Sequence, residues 1–203
     1  MTPDRAYRWL TAAAGQYARD GFDLHVCASI LALAIAQAAQ ENATLAATSG
    51  LDAPALGAFA RHLFPAAAPA LAKMAGGAPE PAPEEDTVRD LLLMYASDRI
   101  EFARPLATLI ARRCREPRHL WQDLGLRHRG ELSELMQRHF TRLKAKNAGD
   151  MKWKKFLYRQ VCGSEGFTLC PAPVCSECDD FASCFGSEEG VAQLTHAYNE
   201  ERV

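Results

Sequence analysis

Five of the chain's seven cysteines, Cys162, Cys170, Cys175, Cys178 and Cys184, fall within 23 residues near the C-terminus. The last four read C-P-A-P-V-C-S-E-C-D-D-F-A-S-C, a C-x4-C-x2-C-x5-C cluster. Thiolate sulfur is the donor that soft metals and iron–sulfur clusters select. The two-residue gap between Cys175 and Cys178 lets one tight turn aim two sulfurs at the same centre. Gaps of four and five residues leave room for Cys170 and Cys184 to converge on it, and Pro171 and Pro173 stiffen the first gap. Backbone N–H groups of such a loop can donate to the sulfurs and tune the potential of what they hold.

Spacing alone leaves three readings open. An iron–sulfur cluster stands first, because C-x4-C-x2-C with a separate fourth cysteine is a ferredoxin-type arrangement. A structural zinc site stands second, since such sites usually pair two C-x2-C knuckles and this chain has one close pair. A disulfide-closed loop stands third: the cysteine count is odd, and cytoplasmic thiols stay reduced. Outside the motif, Cys162 is a candidate fifth or transient ligand, with a buried thiol as the alternative. His119 could complete a metal's coordination with its imidazole; the plainer reading is a histidine bracing the turn at Trp121. His25, Cys27 and Cys114 sit in helical patterns and read as packing residues. The chain has no phosphate-binding glycine loop, nucleophile elbow or metalloprotease signature. No catalytic constellation is therefore read, and an electron-transfer iron–sulfur protein and a zinc-stabilised interaction module both stand as functions.

The elements that must position this loop are predicted to be mainly α. β-branched runs with alternating polarity are nearly absent, and Ala, Leu, Arg and Glu dominate. The expected architecture is a helical bundle-like domain with a C-terminal cysteine-rich metal-binding loop. Helical spacing covers 3–19 and 22–40, and Asp52 caps a helix through His62 that ends at Pro65. A long helix capped at Asp86 or Thr87 runs toward Arg115, and Pro105 should kink or divide it. Further helices are expected over 131–146 and 151–162, and a last one begins at Ser187. Residues 65–86, rich in Pro, Ala and Gly, read as a linker between an N-terminal helical region, 1–64, and a region 87–203 that carries the cysteines.

The most apolar stretch, 26–36, is shorter than the roughly 20 residues a bilayer requires and reads as a buried helix. The N-terminus M-T-P-D-R-A-Y-R-W-L lacks the apolar run of a signal peptide, which predicts a cytoplasmic protein with no membrane partner. The net charge of −2 hides an asymmetry. Residues 1–86 hold 5 Lys/Arg against 9 Asp/Glu, residues 87–162 hold 17 against 8, and residues 163–203 hold 1 against 8. Either the basic helices pack beside the acidic tail, or they form an electropositive surface that gathers an oxyanion or an acidic protein. Nucleic acid is not expected, because no binding motif and no dense basic run is present.

Three segments together carry a resemblance: H-L-W-Q-D-L-G-L at 119–126, M-K-W-K-K-F-L-Y-R-Q-V-C at 151–162, and G-F-T-L-C-P-A-P-V-C-S-E-C-D-D-F-A-S-C-F-G at 166–186. From about residue 88 to 190 the chain resembles the NifQ family of nitrogen-fixation proteins, whose signature is the same C-x4-C-x2-C-x5-C spacing. The resemblance implies a carrier that supplies molybdenum for the nitrogenase iron–molybdenum cofactor. It implies a molybdenum–iron–sulfur cluster of Mo-3Fe-4S type, or its iron–sulfur precursor, with Cys170, Cys175, Cys178 and Cys184 as ligands. The implied partners are the nitrogenase cofactor scaffold complex, the nitrogenase reductase and molybdate. Three thiolates could hold three irons while molybdenum takes a harder oxygen or nitrogen donor. Arg112, Arg113, Lys152, Lys154 and Lys155 could gather the molybdate anion on its way to the cysteines, beside which lie Glu177, Asp179 and Asp180.

Overall fold

Thr2 opens the first helix by accepting a hydrogen bond from the Arg5 N–H, and Pro3 and Asp4 occupy positions where a missing donor and a negative charge are tolerated. This helix, α1 (Pro3–Ala12), buries Ala6, Tyr7 and Leu10 against α2 (Gly21–Glu41). The computed structural model describes residues 1–14, 21–80, 82–97, 102–164, 184–185 and 187–194, with backbone alone at 162–164. Among them the regular structure is helical, with no strand.

Every residue of α2 from His25 to Ile35 is buried, so all faces of the helix are covered and it is the centre of the bundle. At 21 residues α2 is long and apolar enough to cross a bilayer, so length does not set it apart from a membrane span as the sequence reading held; its burial accounts for its composition. Thr44 caps the short α3 (Leu45–Ser49), and Asp52 caps α4 (Ala53–Leu63) through a 2.9 Å bond from the Ala55 N–H. The predicted N-cap is therefore the observed one.

The segment expected to be a linker is not one. Residues 68–75 form α5 (Ala68–Ala75), which packs on α4 and buries Ala68, Leu71 and Ala75. Pro69 lies in its first turn, and Gly76 closes it at φ 68°. These are the positions where proline and glycine punctuate a helix. Leu71 is fully buried. Leu71→Ala should therefore cost about 2–5 kcal/mol in denaturant unfolding; a position in a solvated linker would change stability by no more than about 0.5 kcal/mol.

One core cluster runs from Ala6 to Leu194 and includes residues on both sides of the supposed boundary. The long helix foreseen from 86 to 115 is two, α6 (Pro83–Met94) and α7 (Ala103–Cys114), packed on each other. The break falls before Pro105, which sits in the first turn of α7, where its missing N–H had no partner to lose. Four-residue α8 (Leu120–Asp123) leads into α9 (Arg129–His139) and α10 (Thr141–Lys146). The latter two were expected as one helix. Phe140 divides them, with its ring fully buried and the preceding His139 carbonyl bonded to the Ser97 N–H at 2.9 Å. The last helix is α11 (Trp153–Ser164), whose Trp153, Phe156 and Leu157 are buried.

Two histidine–carboxylate contacts tie α2 to α9. His25 lies 2.9 Å from the Tyr7 hydroxyl and 3.3 Å from Glu131, and His139 lies 2.7 Å from Asp23. Burial alone would raise the Glu131 carboxyl, but the His25 hydrogen bond and the Arg127 backbone N–H outweigh it and hold Glu131 below the usual range. His25 is thus the satisfied buried residue that its place on an apolar helix predicted.

Candidate metal centre

The cysteine-rich segment leaves the C-terminal end of α11 and is caught again at that helix's other end. The Lys152 N–H, just before α11, donates to the Cys184 carbonyl at 2.8 Å. The turn that presents Lys152 is itself fixed. Buried Asn147 donates to the Met151 carbonyl and accepts from the Met151 N–H, both at 2.9 Å. Cys184 is half-buried and packs with Phe185 against the edge of the core. Cys170, Cys175 and Cys178 lie outside the described residues, as do Glu177, Asp179 and Asp180. Cys162 is placed by its backbone within α11. Ten residues of helix, about 15 Å at 1.5 Å per residue, separate it from Lys152.

Residues 187–194 are not the helix that Ser187 and two glutamates led us to expect. They form an irregular strap across α8. The Trp121 indole N–H donates to the Glu188 carbonyl at 3.2 Å, and the Gln122 amide donates to the Val191 carbonyl at 3.1 Å. Gln193 returns a bond to the Gln122 carbonyl at 2.9 Å, and Leu194 is fully buried. Backbone groups that a helix would pair internally are thus used by α8 side chains.

The Glu188 side chain turns inward and is only 2% exposed. Arg129 Nε stands 2.7 Å from its Oε2, as an ion pair without the alignment of a hydrogen bond. His119 Nδ1 stands 3.4 Å from its Oε1. Arg129 also reaches the Asp150 carboxylate at 2.6 Å, the Asp150 carbonyl at 3.0 Å and the Met151 carbonyl at 3.3 Å. His119 is the N-cap residue of α8, and its N–H donates to Gln122 Oε1 at 3.3 Å. It therefore does brace the Trp121 turn, as the plainer reading held. Sequence reasoning missed Glu188 and Arg129. Nothing local marks either of them, because their roles arise only when the strap folds back.

Three of the five basic residues proposed to gather molybdate are structural. Arg112 is buried, 2.7 Å from Glu85, and donates to the Ala47 carbonyl at 3.0 Å. Burial raises the Glu85 carboxyl, and the Arg112 charge opposes it. Arg113 is buried too, donating to the Asp123 carbonyl at 2.7 Å and to Gln37 at 2.5 Å; its burial lowers the guanidinium pKa. Lys154 donates to Asp123 at 2.5 Å and to the Glu116 carbonyl. Cys27 and Cys114 are buried packing thiols, as expected; burial pushes the Cys27 thiol well up and that of Cys114 to about 12. Neither is a thiolate donor at neutral pH.

Among the described residues no three His, Cys, Asp or Glu side chains converge on a metal position. What this part of the molecule supplies is a frame: a fixed turn, an anchored last cysteine at the surface, and a strap that holds the chain beyond it.

The family model described as NifQ matches residues 28–186. A protein NifQ homolog of Sinorhizobium fredii is 39% identical over 170 residues, covering 83% of this chain and 74% of that one. Protein NifQ of Rhodobacter capsulatus is 44% identical over 110 residues, covering 54% and 61%. Protein NifQ of Azotobacter vinelandii is 40% identical over 83 residues, covering 41% and 43%. No solved structure matches the chain.

Proposed function

The chain belongs to the NifQ family, and from that premise we propose that it carries a molybdenum–iron–sulfur cluster and donates molybdenum to assembly of the nitrogenase iron–molybdenum cofactor. Family membership ties it to nitrogen fixation and to molybdenum processing for that cofactor. One observation carries the proposal: the C-x4-C-x2-C-x5-C motif is complete, and its half-buried last cysteine is docked by its carbonyl on the turn before α11. Cys170, Cys175, Cys178 and Cys184 are the thiolate donors. The cargo is a cluster of Mo-3Fe-4S type or its iron–sulfur precursor, loaded from molybdate. The receivers are the cofactor scaffold complex and the nitrogenase reductase, in the cytoplasm, where thiols stay reduced. The chain acts as a carrier and turns over no substrate of its own.

Accessibility matters to this role. A closed thiolate cage holds metal permanently, whereas a site at the protein surface can meet an acceptor. Metal analysis of the full chain purified without oxygen tests the reading directly. Molybdenum together with iron, and a brown visible absorbance, is the expected result. Iron without molybdenum after loading with molybdate would make the chain an electron-transfer protein. Colourless protein with zinc would make it a zinc-stabilised module.

A further inference from the structure

We propose that Met94, Tyr95, Arg142 and Lys146 form a docking face for an acidic surface of a partner protein. This rests on the reading that the chain hands its metal to another protein. Much of the positive charge of residues 87–162 is spent within the molecule. Arg112, Arg113 and Lys154 give theirs to buried partners. Arg89, Arg127, Arg129 and Arg138 each face a carboxylate. Arg142 and Lys146 pair with no carboxylate among the described residues.

What they face instead is an aromatic ring. The Arg142 guanidinium lies 5.8 Å from the centre of the Tyr95 ring, and the Lys146 ammonium lies 5.6 Å from it. Arg142 also donates to the Met94 carbonyl at 3.2 Å, which ties α10 to the end of α6. Met94 is 68% exposed, and Arg142 and Lys146 are exposed too. Two cations therefore stand beside a large uncovered apolar side chain. Helix stability does not account for them. Arg142 lies in the first turn of α10, where a cation opposes the helix dipole. It is also four residues from Lys146, a spacing at which like charges repel.

The chemistry of this face selects a protein. Arg, Tyr and Met are residue types that protein interfaces concentrate, Arg and Tyr as anchors and Met because it adapts to irregular surfaces. A guanidinium already held over Tyr95 has less freedom to lose when it meets a carboxylate. A lipid surface would need an apolar helix face, and the one large apolar side chain of α10, Leu143, is buried inward. Nucleic acid would need a longer track of cations than α10 supplies.

The test measures association of the full chain, purified without oxygen, with the nitrogenase reductase and with the cofactor scaffold complex over a series of salt concentrations. Arg142→Glu combined with Lys146→Glu should weaken binding to at least one of them about tenfold or more at low salt. The loss should lie mostly in slower association, and the dependence on salt should flatten. Met94→Ala should speed dissociation and leave the salt dependence unchanged. Arg8→Glu with Lys73→Glu, exposed on α1 and α5, makes the same change in net charge and should bind as wild type. Equal weakening by both reversals would reduce the effect to net charge and overturn the proposal. Wild-type binding by the α10 reversal, with or without a lower melting temperature, would overturn it and spare the carrier reading. Binding to phosphatidylserine vesicles or a DNA duplex in place of either protein, lost in the α10 reversal, would overturn it in favour of phosphate groups. A wild-type chain that binds neither protein yet holds molybdenum and iron would sink the docking face alone; one that binds neither protein and holds no molybdenum would sink both.

Discussion

On the carrier reading, Cys184→Ser should strip the chain of its metal and leave the helices standing. The two effects separate because the side chain and backbone of this residue do different jobs. The backbone carbonyl, not the sulfur, accepts the bond from Lys152 that docks the end of the cysteine loop. The side chain packs at the edge of the core, so exchanging sulfur for oxygen there should change stability by about 1 kcal/mol or less. A hydroxyl, however, is no substitute for thiolate toward soft metals. Loss of a direct ligand should exceed the 10–100-fold effect of losing an outer partner, so iron and molybdenum per chain should fall at least about tenfold. Cys162→Ser is the matched comparison. Its backbone sits about 15 Å along α11 from the turn that anchors Cys184, and it should retain its metal. Full metal in Cys184→Ser would remove that residue from the ligand set, and loss in Cys162→Ser would add the other to it.

The helices that could be read from the sequence are those whose signals are local. Asp52 caps α4 as its side chain allows, and α2 is buried on every face because it has almost nothing polar to expose. What could not be read depended on contacts between distant segments. Pro69 and Gly76 look like loop residues in isolation, but they bracket α5, whose apolar face finds α4. Phe140 has no helix-breaking chemistry of its own; burial of its ring divides α9 from α10. Ser187 followed by two glutamates has the form of a helix start, yet Arg129 and the α8 side chains capture that stretch first. The basic segment misled for the same reason. Its net charge is plain in the sequence, but Arg112, Arg113 and Lys154 spend that charge on buried partners. The candidate site was legible as a motif, of which Cys184 lies among the described residues. Its other three cysteines lie outside the described residues.

Neutralising Lys154 will unfold the chain more readily than it will unload it. The Lys154 side chain is 17% exposed, and its partner Asp123 only 1%. Removing one member of a buried pair leaves the other uncompensated, at a cost of about 3–5 kcal/mol. For a chain of this length Lys154→Met should therefore melt roughly 6–20 °C lower. The pH dependence supplies a signature. Burial raises the Asp123 carboxyl above its usual range, and the Lys154 hydrogen bond and charge are the first influences opposing it. Without Lys154 the carboxyl should rise further. A group whose folded pKa is raised contributes stability at low pH and loses it as pH climbs through the folded value. The deficit of Lys154→Met should thus be largest near neutrality and narrow on acidification. Asp123→Asn combined with Lys154→Met should recover much of the loss, since neither charge is then stranded. Well below the melting temperature, molybdenum taken up per folded chain at limiting molybdate should match wild type. The opposite result, a wild-type melting curve with impaired loading, would return Lys154 to a path that gathers the anion. The network around Asp123 argues against that path, because the ammonium already donates to both a carboxylate and the Glu116 carbonyl.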